Sequence, residues 1–255
     1  MGATQTLPCR IPGRVLRRRG SAAREPLAQI ATRKLELAKV HPGPDHGGMK
    51  RPRALIIWGG WDGHHPEEVA GMVAGHLANQ GYIVNSTSHF GSILGSDLSP
   101  IDVVVPIWSC GISAPPYADC LAAAVRAGTG LATFHGGINM FEDDTYANLI
   151  GGRYVEDRTA SYELEFVGDH PLARERSVLK LEDELYSVDV DPDCQILATA
   201  RDEETQMPAA WTKTFGDGRV FYATPAHDLD NLRRQEVRDL IFSGISWATR
   251  PAVAS

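Results

Sequence analysis

The chain has 255 residues and 27.7 kDa, with 43% hydrophobic and 22% charged side chains, the make-up of a globular protein able to bury a substantial core. Its net charge of −7 and pI near 5.7 argue against nucleic acid or an anionic membrane as the main partner, and no run approaches the roughly 20 apolar residues that span a bilayer. Cys9, Cys110, Cys120 and Cys194 have neither CxxC nor ladder spacing, which excludes zinc ribbons and disulfide frameworks and makes a reducing cytoplasm the expected location.

Charge is unevenly spread along the chain. Residues 1–48 hold nine Arg/Lys against three acids, leaving the remainder with a net charge of −13. This head has no strand alternation, and Met49 opens "MKRPRALIIWGG", a natural start directly before the first strand. Residues 1–48 are therefore expected to be a disordered basic extension, and 49–250 a single α/β domain.

From Arg53 onward, buried-strand runs alternate with helix-length segments. "RALIIW" (53–58) predicts a strand covered on both faces. "PEEVAGMVAGHLANQG" predicts a helix started by Pro66 and stopped by Gly81. "YIVNSTS" and "DVVVPIWS" (102–109) are the next strands, "PPYADCLAAAVRAG" the next helix, and "GLATFH" the fourth strand. This rhythm predicts a doubly wound, mostly parallel sheet with right-handed crossovers. The segments "SYELEFVGDHPLA" and "LEDELYSVDVDPDCQILATARD" alternate, so residues 153–200 are expected to add antiparallel strands at the sheet edge. A hairpin around "GDG" and an amphipathic helix over 232–248 close the fold.

In open parallel sheets, ligands bind beyond the carboxyl ends of the strands. Those positions hold "GGWDGHHP" (Trp61, Asp62, His64, His65), "WSCG" (Trp108, Ser109, Cys110), "HGGIN" (His135, Gly136, Gly137, Asn139) and "PAHD" (His227). Four of the seven histidines outside the head thus follow strand ends. Of the adjacent pair, His65, beside Pro66 at a helix start, is the expected functional ring. His76, His89 and His170 are expected to be structural, Cys110 a packed thiol, and Glu182 and Asp183 part of a solvated acidic face. Glu184 and Tyr186 are two apart and share a strand face that can line the same rim. Trp61 and Trp108 are sugar platforms or packing groups, and no phosphate-cradling glycine motif is present.

"FHGG…F…Y…IGG", "ELY…VDP…ILAT", "MPAAWTKTFGDGRVFYATPAHD" and the final "GISWA" together resemble the trehalose-utilisation (ThuA-like) family from about Arg53 to Ala248. The resemblance implies a flavodoxin-like sheet related to class I glutamine amidotransferases. His135 then stands at the corner where those enzymes carry a nucleophilic cysteine, so glutamine hydrolysis is not expected. It also implies sugar catabolism through 3-keto-glycosides, with His65, His135, Glu184 and His227 as the ligand-facing polar positions. Some relatives place a His-Pro and a further His where this chain has Glu156–Asp157 and Asp189, a departure from a histidine-rich metal centre.

The expected chemistry is enolisation beside a sugar ketone, leading to isomerisation or cleavage. His135 or His65 is the base, His227 or Glu184 its acid partner, and the amides of residues 136–137 the oxyanion donors. Trp61, Asp62, His64, Trp108, Gly136, Gly137, Asn139, Asp157 and Tyr186 are the expected substrate contacts. The alternatives are a non-catalytic sugar-binding module and a metal-dependent hydrolase using two or three of His64, His65, His135 and His227. The first reading needs no cofactor; the last takes a divalent metal. The partner is a small sugar, and self-association through the Trp-bearing final helix stays open.

Overall fold

The computed structural model describes residues 50–94, 96–109, 111 and 115–252. The expected basic extension and Cys110 lie outside them. In chain order the elements are β1 (Arg53–Gly59), α1 (Pro66–Asn79), β2 (Ile83–Thr87), β3 (Val103–Trp108), α2 (Pro115–Arg126), β4 (Gly130–Phe134), α3 (Asp144–Ile150), β5 (Gly152–Phe166) and β6 (Leu179–Val190). β7 (Gln195–Arg201), β8 (Gln206–Phe215), β9 (Gly218–Ala223), α4 (Leu229–Arg233) and α5 (Gln235–Ala248) follow.

One nine-stranded sheet runs in the order β2-β1-β3-β4-β9-β8-β7-β5-β6. The first five strands of that order are parallel and the rest are antiparallel. This is the doubly wound α/β sheet with an antiparallel elaboration that the sequence predicts. Alternation along the parallel strands splits the core into two. Ala54, Ile56, Val103 and Val105 face Val69, Val73, Leu77, Leu240, Ile241 and Ile245 of α1 and α5. Leu55, Ile57 and Val104 face Leu121, Val125, Leu149 and Ile150 of α2 and α3. The final helix therefore covers the sheet. Among the described residues, no helix is long and apolar enough to cross a membrane.

Two local features depart from the sequence expectation. The sequence pattern does not announce helix α3, although Asp143 caps it by accepting the Tyr146 N–H at 2.8 Å. The single helix expected over 232–248 is broken at Arg234, whose extended backbone (φ −60°, ψ 130°) separates α4 from α5.

Residues 163–166 of β5 pair with β7, but β5 and β6 pair with each other along nearly their whole length. The free part of this two-stranded ribbon reaches back to the segment that follows β4. That fold-back brings the middle of β6, an edge strand in sheet order, over the carboxyl ends of the parallel strands.

Candidate functional site

The site is built around the turn after β4. His135 adopts a left-handed backbone (φ 46°) and opens a tight 3-10 turn that runs to Asn139. For a non-glycine residue that conformation costs about 1–3 kcal/mol, so the surroundings must enforce it. Two fully buried tyrosines do so. Tyr222 donates its hydroxyl proton to the His135 carbonyl at 2.8 Å, and Tyr146 donates to the Gly137 carbonyl at 2.6 Å. The two glycines are needed for space. A Cβ at Gly137 would lie 1.7 Å from the Thr133 hydroxyl oxygen, and one at Gly136 would lie 2.6 Å from Ser109 Cβ and 3.3 Å from the His64 ring. The Gly-Gly pair therefore lets a second imidazole settle against the turn.

Four side chains converge there: His64 after β1, His135 after β4, His227 after β9, and Glu184 from the β5–β6 ribbon. One donor atom from each lies within 4.8 Å of all the others. His135 Nε2 is 3.2 Å from His227 Nδ1 and 3.3 Å from Glu184 Oε2, and His227 Nδ1 is 3.0 Å from the same oxygen. The far side of His135 is committed. Its Nδ1 lies 3.1 Å from the Thr224 carbonyl, which only accepts, so Nδ1 must carry a proton and donate it. In the neutral ring, Nε2 is then a lone pair aimed into the cluster, with the buried Tyr186 hydroxyl 3.1 Å away and able to donate to it.

Electrostatics follow from this crowding. Burial, reinforced by the neighbouring His135 and His227, lowers the His64 pKa to about 3, so this ring is neutral. Burial resists ionisation of Glu184, but the adjacent His135 and His227 imidazoles outweigh it and hold the carboxyl well below its usual range. Burial also pulls His227 down; its contact with Glu184 overcomes this and leaves it above the ordinary histidine value. Burial pushes the Tyr186 hydroxyl up, so it remains a proton donor.

The carboxylate of Asp183 ties the two halves of the site together. It accepts the N–H groups of Ala226 (2.8 Å), His227 (3.2 Å) and Glu184 (2.9 Å). Ala226 is itself left-handed (φ 86°), a second strained position held by its surroundings. The expected solvated acidic face is thus wrong for Asp183, which is only 4% exposed. Period-two alternation turns it away from exposed Glu182 and under the 226–227 loop, a signal that could have found it.

The structure brings His135, Glu184, His227, His64 and Tyr186 together, with Gly136 and Gly137 beneath them. His65 is not among them. It too is left-handed (φ 48°), and the 3-10 turn over Asp62–His64 points His64 inward and His65 outward. The His65 side chain is 53% exposed, with Nδ1 3.9 Å from Glu68. The expected choice between the adjacent histidines is therefore reversed.

Trp61 flanks the cluster, its ring centroid 4.8 Å from His64 and 6.2 Å from His227. Trp108 lines a cavity of about 30 Å³ beneath the rings, bounded also by Ser109, Phe134 and the two glycines. Asp62 is exposed, and Asn139 is half-buried at the end of the turn. Asp157 accepts a hydrogen bond from Tyr154 and stands opposite Tyr186 on the partner strand, so it lies beside the cluster and outside the donor set. His76 stacks on Phe242 at 3.8 Å, and His170 Nδ1 accepts the Leu172 N–H, both structural as expected.

The family model described as trehalose utilisation (ThuA) matches residues 53–248. Among solved structures, a ThuA-like protein from Parabacteroides merdae superposes with a TM-score of 0.65 at 19% identity, covering 81% of this chain and 93% of its own. A ThuA-like protein from Bacteroides uniformis gives 0.64 at 14%, covering 80% and 94%. A β-galactosidase from Rahnella sp. R3 shares the fold at a TM-score of 0.55 and 14% identity over 78% of this chain, which corresponds to 31% of that enzyme. No curated protein matches in sequence.

Proposed function

Because the chain belongs to the ThuA family of trehalose utilisation, we propose that it is an enzyme of carbohydrate catabolism that removes a proton beside the ketone of a 3-keto-glycoside. One observation carries this reading: three strand ends and a folded-back ribbon deliver His64, His135, His227 and Glu184 to a single point.

A ketone acidifies the C–H bonds on its neighbouring carbons, and an enzyme needs a base at that hydrogen and donors at the oxygen. Glu184 is the one anion among the four donors, with a side chain 18% exposed, and takes the proton once the bound ketone displaces the imidazole contacts that depress its basicity. Tyr186 and the N–H of His227 face the developing enolate oxygen. His135 has its ring fixed by Thr224 and sits between them as the relay. Trp61 supplies an apolar wall at the rim for the sugar face. Returning the proton to the opposite face isomerises the sugar. If the proton comes from the carbon between the ketone and the anomeric centre, its electron pair forms a C=C bond. The anomeric C–O bond then breaks, and the aglycone leaves with a proton. Glutamine hydrolysis has no place in this scheme, because an imidazole occupies the nucleophile's corner.

The test is incubation of the purified protein with a panel of 3-keto-glycosides and their unoxidised parents, followed by mass spectrometry and NMR. Conversion of the ketones with the parents untouched is expected. Binding of the ketones without any conversion would overturn the reading.

A further inference from the structure

Four side chains direct their donor atoms at a single point of the protein. His135 gives its Nδ1 proton to the Thr224 carbonyl, so its Nε2 and the Glu184 carboxylate, 3.3 Å apart, are two acceptors facing each other. His227 Nδ1 carries at most one proton and lies within reach of both, 3.2 Å from the nitrogen and 3.0 Å from the oxygen. A further imidazole, His64, completes the set, with all four donor atoms within 4.8 Å of one another. The Tyr186 hydroxyl can donate to His135 Nε2 and the His227 ring to Glu184, and a cation placed among the same four atoms would engage all of them at once.

We propose that His64, His135, His227 and Glu184 hold one divalent transition-metal ion. Imidazole and carboxylate donors about 2.0–2.2 Å from a tetrahedral ion stand roughly 3.3–3.5 Å apart. The three separations among His135, His227 and Glu184 are already 3.0–3.3 Å, and the His64 donor atom lies within 4.8 Å of all three. The supporting shell is also that of a metal centre. The Nδ1–H of His135 is bound by a backbone carbonyl, which fixes the tautomer that presents Nε2 inward. The Asp183 carboxylate holds the backbone of both Glu184 and His227. Three nitrogens and one oxygen suit zinc, iron, nickel or copper, with cobalt as a spectroscopic stand-in, and disfavour calcium or magnesium, which take oxygen shells.

The inference rests on the proposed function for its meaning and not for its existence. With an ion bound, the His135 and His227 nitrogens would be its ligands in place of relay and donor, the ion would take over their part at the ketone oxygen, and Tyr186 would remain the hydroxyl donor beside it.

The experiment uses the full chain, stripped with chelator and titrated with Co²⁺, whose visible absorption reports its donor set. About one equivalent per chain with a four-coordinate spectrum, displaced by Zn²⁺, is expected. His64→Ala and His227→Gln should each weaken binding by about 10²-fold or more, with the thermal melt of the stripped variants confirming that the fold survives. His65→Ala should bind as the parent does. Absence of stoichiometric Co²⁺ uptake, or uptake unchanged in H64A and H227Q, would overturn the metal site. Stoichiometric cobalt binding that is lost in H64A and H227Q, with no turnover of any keto-sugar, would sustain the metal site and overturn the proposed function alone.

Discussion

The two halves of the sheet contribute to the site in different ways. The parallel half supplies His64, His135 and His227 from the segments that follow three strand ends, with the His135 turn held by two buried tyrosine hydroxyls. The antiparallel half supplies Glu184 and Tyr186 from the middle of β6, a strand that reaches the rim only because its ribbon folds back over it. The parallel half makes a floor of three imidazole rings, of which burial keeps His64 neutral. The ribbon brings the charge and the hydroxyl. The proposed chemistry uses both, and Asp183 is the joint between them.

Substitutions can separate the halves. The largest effect is expected for Glu184→Gln, which keeps the shape of the ribbon's contribution and removes its charge. Turnover of a keto-glycoside should fall by roughly 10²–10⁴-fold in steady-state assays with the melting temperature little changed. Undiminished activity would assign the base to the floor instead. His135→Ala removes the central ring of the floor and should cost about 10²-fold or more. Asp183→Asn attacks the joint. It places an amide N–H₂ against backbone donors, costing roughly 1–3 kcal/mol and several degrees in a thermal scan, and activity should fall because His227 and Glu184 lose their register. Gly137→Ala should destabilise by about 1–3 kcal/mol through the clash with Thr133, read as a shift of the denaturation midpoint. The smallest effect belongs to His65→Ala, within about twofold in activity and 0.5 kcal/mol in stability. A large loss there, with His64→Ala harmless, would reverse the assignment of the two adjacent rings.

The same division explains what could be read from the residues alone. Strands of the parallel half appear as apolar runs, and a ligand at their carboxyl ends is a property of the topology, so His135 and His227 could be placed without coordinates. Choosing between His64 and His65 could not be done that way. Their orientation depends on a left-handed backbone at His65 that a sequence ending in "HHP" does not announce. For the ribbon, alternation placed Glu184 and Tyr186 on one face but gave no reason for an edge strand to return to the centre. Asp183 reads as solvated surface in the sequence because its partners, the N–H groups of residues 226 and 227, are more than forty positions away. Helix α3 carried a capping signal in Asp143, yet only seven residues follow it, too few for a clear period.

The central claim is that this cluster moves a proton at a carbon beside a sugar ketone. The most direct measurement is NMR of a 3-keto-glycoside incubated with the protein in D₂O. Deuterium should wash into the carbon adjacent to the ketone with the native chain and at no more than the buffer rate with Glu184→Gln. Exchange at the buffer rate with the native chain, under conditions where the sugar is bound, would contradict the account.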